Sequence, residues 1–401
     1  MYIGYNYGGY TMQINQDNII EDAQKIFDTL QRNSYSRNKM FSYDIGAINY
    51  VLATVSNQYF DFPQIFNPYH ERLISRADMK NMRDYSIFVF LYMEEYLKLA
   101  ENYTSLLEKN NFTKTNEFSG KTYSSTEIKE ILLDFFNEQG PDKYKIIKSM
   151  FDDERVEIQK LDLDGSRAVC SIMVSDIKPY VIVDADPNKV RLCNMRDLAH
   201  EFGHAIEAHL KLNRYNRTQE DRKKLLVEVS SKFYEYEFCK YLQRNRIEYK
   251  TANSIINEYH NSIRIFCEKL KFMDSKEIIK DGEKYIHIDD AISIDDDKNI
   301  MKAFRKEGEE NIYVFGFDLY KPLKYALGGL SAFNLSEIKR QDPKEFDKLW
   351  NYFLSMRTLI DEKSIFDLFG ITADDFIECS YIKDLIKSDI NTYNKQLKRQ
   401  L

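Results

Sequence analysis

The chain has 401 residues, with 57 basic and 64 acidic side chains, a formal net charge of −7 and 43% apolar residues. This allows a sizeable core in two or three domains, or in one large domain with a divided core. It gives no electrostatic case for nucleic acid or an anionic membrane as the main partner. Only 14 Gly and 7 Pro argue against a β-sandwich, a collagen-like chain or a disordered linker protein.

In chain order, the Tyr- and Gly-rich residues 1–16 read as irregular. Helical periodicity follows over 17–33, where Ile19, Ile20, Ala23, Ile26, Phe27 and Leu30 share a face, and again over 44–59 and 83–109. Ser124 and Ser125 ahead of Glu127 predict a capped helix up to Glu138. Gly140 and Pro141 stop it and open the next. Residues 165–174 and 179–183 are rich in β-branched side chains and predict a strand hairpin. Helix returns over 194–212 with Asn194 as N-cap, then over 218–246, 252–271 and most of 297–400. The expected organisation is a helical region over 17–120 and a chemistry-bearing region over 121–401.

The five cysteines (Cys170, Cys193, Cys239, Cys267 and Cys379) form no CxxC pair and read as reduced thiols. No basic residue precedes Lys25, so a secretory signal is not expected. The longest apolar run, Ile87 to Met93, is too short to span a bilayer. These features lead to the expectation of a soluble cytoplasmic protein with no membrane partner. The acidic run Asp295–Asp297 reads as a solvated turn, because it lacks the calcium-loop pattern.

One segment carries chemistry: His200, Glu201, Phe202, Gly203 and His204 form an HExxH pattern inside a predicted helix. Helix positions i and i+4 share a face, so two imidazoles there can hold one zinc ion, and Glu201 can take a proton from zinc-bound water. A chance match and a pair of core histidines are the competing readings. A third ligand six residues after His204 is absent, since that position is Leu210; His209 reads as a surface residue. Glu228 lies 24 positions after His204, among Leu226, Val227 and Val229. An antiparallel return helix would bring it back to the metal, and a buried carboxylate needs such a partner. Glu235, two turns on, either orients a ligand imidazole or is a surface charge.

Three runs now carry a family likeness: Lys178–Asp186, Asn194–Ala205, and Glu228–Ser231 with Glu235. Together they resemble the thimet oligopeptidase and oligoendopeptidase F family of zinc peptidases, a gluzincin group. The likeness extends upstream through Tyr123–Leu132, Tyr144, Phe151–Arg155 and Gly165–Cys170, and downstream to Tyr320–Ala332. The resemblance implies a mostly α-helical peptidase with a small β-sheet beside the active-site helix and a substrate channel. It implies one Zn2+ per chain, held by His200, His204 and Glu228, with Glu201 as general base. Short unstructured oligopeptides are the implied substrates, bound by strand addition along 168–174 or 179–184. Tyr320 and Tyr325 are the implied oxyanion donors, with core packing as their alternative reading.

There are departures from the family pattern. The family His before the tyrosine cluster is missing, Lys321 and Leu323 stand where tyrosines are usual, and Glu207 replaces a further His. The chain is also shorter than the usual member. These features keep two rivals open: a weak or inactive peptide-binding relative, and an angiotensin-converting-enzyme-like carboxydipeptidase with the same ligand spacing. The Gly328–Gly329 pair reads as a bend or a close helix contact.

Overall fold

The computed structural model describes residues 3–7, 10–14, 95–114, 120–159, 168–172, 178–214, 226–276, 278–280, 283–287, 302–305, 312–315, 320–355 and 368–398. The helices read over 17–33 and 44–59 and the run 295–297 lie outside these residues. Of the helix read over 83–109, residues 95–109 are described and helical. The fold is mostly α-helical, as expected. The chain divides into two units. One holds Met1–His70, Thr122–Arg222 and Leu354–Thr358; the other holds Glu71–Lys121, Lys223–Phe353 and Leu359–Leu401.

The first unit opens with β1 (Ile3–Tyr7) and β2 (Tyr10–Ile14), an antiparallel pair in register from Ile3 opposite Ile14 to Tyr7 opposite Tyr10. The irregular reading of 1–16 is therefore corrected. The aromatic and β-branched side chains of these strands favour extended backbone, and Gly8-Gly9 between them is a hairpin signal. Helices α2 (Ser125–Glu138) and α3 (Pro141–Asp152), numbered after α1 (95–109), follow the sequence signals. Ser124 Oγ accepts from the Glu127 N–H at 3.3 Å, and a Glu127 carboxylate oxygen accepts from the Ser124 N–H at 2.9 Å, a reciprocal cap. Pro141 opens α3, where its missing N–H costs nothing.

A three-stranded sheet comes next: β3 (Val156–Gln159), β4 (Ala168–Ile172) and β5 (Pro179–Asp184), in the order β3-β5-β4. β4 and β5 form the predicted antiparallel hairpin, while β3, which the sequence reading missed, runs parallel to β5. Buried Val181, Ile182 and Val183 suit a central strand. Buried Arg155 ties α3 to β5, donating to the Pro179 carbonyl at 3.0 Å and to Ser149 Oγ at 3.0 Å. α4 (Leu192–Arg214) packs against β4 and β5. It begins two residues before the expected cap, and Asn194 Oδ1 accepts from the Arg191 N–H at 3.0 Å. Tyr123 and Val190 close the unit with a backbone bridge.

In the second unit α5 (Val227–Arg244), α6 (Tyr249–Lys276) and α7 (Tyr320–Gln341) pack on one another. Phe333 of α7 is fully buried, its ring stacked on His260 at 4.7 Å and edge-on to Tyr236 at 4.9 Å. The predicted close contact at the glycine pair is real. A Cβ on Gly329 would fall 1.9 Å from Ile263 Cδ1 of α6. Between α6 and α7 lie β6 (Ile278–Lys280), β7 (Glu283–His287), β8 (Lys302–Arg305) and β9 (Ile312–Phe315), an antiparallel sheet in the order β6-β7-β9-β8. Helix was expected over most of 297–400. The strands at 302–305 and 312–315 correct that, and the Ile-Tyr-Val-Phe of β9 has the composition of a strand.

α8 (Pro343–Ser355) brings in Trp350, buried against Phe233 at 4.6 Å and donating from its indole N–H to the Tyr234 hydroxyl at 2.9 Å. α9 (Ala373–Ile377) and α10 (Lys383–Lys398) end the described chain, and α10 packs on α6. There a buried charge is held. Asp389 accepts from the Tyr236 hydroxyl at 2.6 Å and from Lys240 Nζ at 2.7 Å, and lies 3.2 Å from His260 Nε2. The other ring nitrogen of His260 is 3.1 Å from the Tyr103 hydroxyl. All five cysteines are free, and among the described residues no helix is long and apolar enough to cross a membrane.

Candidate metal centre

α4 presents His200 and His204 one helical turn apart, their rings 5.1 Å apart and nearly perpendicular. Both are half-buried, whereas Glu201 beside them is buried. The helix is anchored by the rest of its surface. Leu198, Ala199, Phe202, Ala205 and Ile206 are fully buried, and Phe202 packs edge-on against Phe136 of α2 and Phe151 of α3. Packing on that side fixes the rotation of α4 and so fixes which way the histidines face. Burial, then the charge of nearby Glu201, pushes the Cys170 thiol of β4 well above the usual range. That keeps it protonated beside an acidic group. His209 is half-buried; burial and then Arg155 lower its pKa. Glu207 is buried as well.

Glu228 occupies the first turn of α5 and is buried. Ser231 Oγ donates to Glu228 Oε2 at 3.0 Å and to its carbonyl oxygen at 3.1 Å. Lys324 of α7, itself buried, puts its ammonium 3.1 Å from Oε1. One turn further along α7 is Gly328, where a Cβ would lie 2.8 Å from both Cβ and the carbonyl oxygen of Glu228. Only a residue without a side chain lets α7 approach the Glu228 backbone this closely. α7 therefore fixes Glu228 twice, by charge and by contact.

Glu235 is buried rather than exposed, and accepts from Lys232 Nζ at 2.8 Å. The Lys232 ammonium also lies over the rings of Tyr259 and Tyr325, 5.1 and 5.6 Å from their centres. Tyr325 stacks on Phe266 at 4.9 Å and carries the Lys324 ammonium 5.0 Å from its ring centre. Tyr320 is the first residue of α7, and its side chain lies outside the described residues. Of the two stretches proposed for strand addition, 179–184 is removed. It is the central strand, paired on both edges, whereas β4 is an outer strand of the described sheet.

His200 and His204 of α4, with Glu228 of α5, are the residues whose donor atoms could hold a metal ion. Sequence spacing named these three residues; it did not find Lys324. The available signal was a single charge within the otherwise uncharged run Leu323–Leu330, which in a buried helix demands a counter-charge.

No protein-family model and no curated protein matches the chain. Among solved structures, a protein assigned as oligoendopeptidase F, determined at 3.1 Å, matches with 10% identity and a TM-score of 0.50, over 97% of this chain and 72% of that one. PZ peptidase A, solved with an inhibitor, matches at 10% identity and a TM-score of 0.43, over 97% and 73%. An oligoendopeptidase F of Bacillus anthracis strain Ames matches at 10% identity and a TM-score of 0.41, over 96% and 67%. The likeness first carried by short motifs is thus met by the chain as a whole, which is similar in fold to oligoendopeptidase F.

Proposed function

We propose that the chain is a zinc-dependent metallopeptidase that hydrolyses short unstructured peptides. The observation that carries this reading is the pair of imidazoles one helical turn apart on α4, with buried Glu201 between them in sequence and the buried carboxylate of Glu228 to complete the donor set. The donor set fits the ion. Two nitrogens and one oxygen are the protein ligands of many catalytic zinc sites, and three ligands leave a tetrahedral ion one open position.

His200, His204 and Glu228 would hold the metal. When bound, zinc would polarise the scissile carbonyl and acidify water at the open position. Glu201 takes the proton from the attacking water and delivers it to the leaving amine. Tyr325, next to the lysine that touches Glu228, is the better supported oxyanion donor, with Tyr320 as its partner. Glu235, held by Lys232, is assigned to orienting a ligand imidazole. The outer strand β4 supports substrate binding by strand addition. A second reading, a peptide-binding relative without turnover, is favoured by one observation: an ammonium already sits against the carboxylate ligand.

The test is zinc content together with cleavage of a mixed set of unstructured peptides, read by mass spectrometry. About one zinc per chain and endoproteolytic products are expected. Glu201→Gln should keep the zinc and lose cleavage by about 10²–10⁴-fold. Undiminished cleavage by that variant would overturn the mechanism. Binding without any cleavage in the wild type would favour the second reading, and steady release of C-terminal dipeptides would indicate a carboxydipeptidase.

A further inference from the structure

Lys324 is not needed to build a zinc site, yet it is buried and its ammonium lies 3.1 Å from Oε1 of Glu228. A buried ammonium requires a counter-charge, and so does a buried carboxylate. Here each serves the other. Oε2 is served separately by Ser231. A divalent cation arriving at His200, His204 and Glu228 would therefore meet a carboxylate already neutralised by a positive charge. Like charges a few ångströms apart in a partly desolvated site repel strongly.

Resting on the zinc reading above, we propose that Lys324 is a built-in competitor of the metal. Its ammonium takes the place of the divalent charge on Glu228 in the metal-free chain, and so lowers zinc affinity while keeping that chain folded. The neighbourhood suits this role. The ammonium also lies 5.0 Å from the centre of the Tyr325 ring, a face that stabilises a cation once the carboxylate is taken. Ring and lysine are adjacent on α7. Gly328, one turn on, keeps α7 against the Glu228 backbone, so the carboxylate stays in place when its partner changes. The exchange replaces one cation by another; no covalent bond forms or breaks.

The experiment measures zinc affinity by competition with a chromophoric chelator, and melting temperature with and without zinc chloride. The full chain is compared as wild type, Lys324→Met, Lys324→Gln and Lys324→Arg. Removing the charge in Lys324→Met and Lys324→Gln should tighten zinc binding by about tenfold or more. The melting temperature of the metal-free chain should fall, and the rise on adding zinc should grow. Lys324→Arg, which keeps the charge, should behave as wild type. If Lys324→Met folds only in the presence of zinc, that dependence itself supports the proposal, and Lys324→Gln supplies the affinity. Unchanged or weaker zinc binding in both neutral variants, with the wild type still binding, overturns the role of Lys324 and leaves the zinc reading standing. Failure of the wild type to bind zinc, or full binding by His204→Ala, sinks the zinc reading itself.

Discussion

Among the carboxylates buried in the second unit, Glu228 and Asp389 are surrounded differently. Asp389 of α10 takes hydrogen bonds from Tyr236 and Lys240 and adjoins His260, so α5, α6 and α10 are joined through one side chain. Burial alone would raise the pKa of its carboxyl. Lys240 and then His260 outweigh that and bring it down to about 2. Glu228 also has a cation and a hydroxyl on its two oxygens, but it is in addition the carboxylate of the candidate donor set with His200 and His204. The difference teaches that a satisfied buried charge is not by itself a functional sign. Asp389 is answered by one hydroxyl, one ammonium and one imidazole, whereas Glu228 has a hydroxyl and an ammonium and is the one of the two that a metal is proposed to share with imidazoles.

The largest effect expected from this contrast is on metal. Glu228→Ala should weaken zinc binding by more than the about 10–100-fold that outer hydrogen-bond partners are worth, while Asp389→Ala leaves the stoichiometry unchanged. Metal analysis of the two purified variants checks this, and zinc loss in Asp389→Ala would erase the distinction.

Stability should fall in both variants, since Glu228→Ala likewise strands the buried Lys324 ammonium. Asp389→Ala strands the Lys240 charge and the Tyr236 hydroxyl and should cost about 3–5 kcal/mol in denaturant unfolding. The pH dependence sharpens the point. A carboxyl whose folded pKa is about 2, against about 3.9 unfolded, contributes stability above pH ~4 and loses it as pH falls through about 2. The gap between wild type and Asp389→Asn should therefore narrow across that window. A gap that stays constant from pH 5 to 2 would count against Asp389 as an ionised anchor.

The smallest effect belongs to Gly328→Ala. The added Cβ meets backbone and Cβ of Glu228 at 2.8 Å, so the cost should be about 1–3 kcal/mol, with zinc binding weakened through displacement of the ligand. Destabilisation with unaltered zinc affinity would show that the contact packs helices without positioning the carboxylate.

What the sequence made readable was local chemistry. The Ser124–Glu127 cap, the Gly140-Pro141 stop, the β4–β5 hairpin and the HExxH turn each depend on residues within a few positions of one another. The Gly328-Gly329 contact was legible too, because glycine in a helix is costly without a neighbour to admit. What escaped depends on distant pairing. β3 finds β5 across some two dozen residues, and β7 finds β9 in the same way, with strands of three to six residues too short for alternation to show. The Asp389 cluster was equally hidden: His260 and Asp389 are 129 positions apart, and nothing in either segment names the other. Lys324 lay between these cases, conspicuous in an apolar run but mute about its partner.

The chain contains a single tryptophan, and its surroundings give it a practical use. Trp350 rests on Phe233 and donates to Tyr234, both on α5 a turn and a half beyond Glu228. Ultraviolet emission from this one indole is thus an intrinsic optical reporter on the helix that carries the carboxylate. Titrating the unlabelled chain with a divalent ion and following that emission would read the local response directly, with no dye attached and no other indole to confuse the signal.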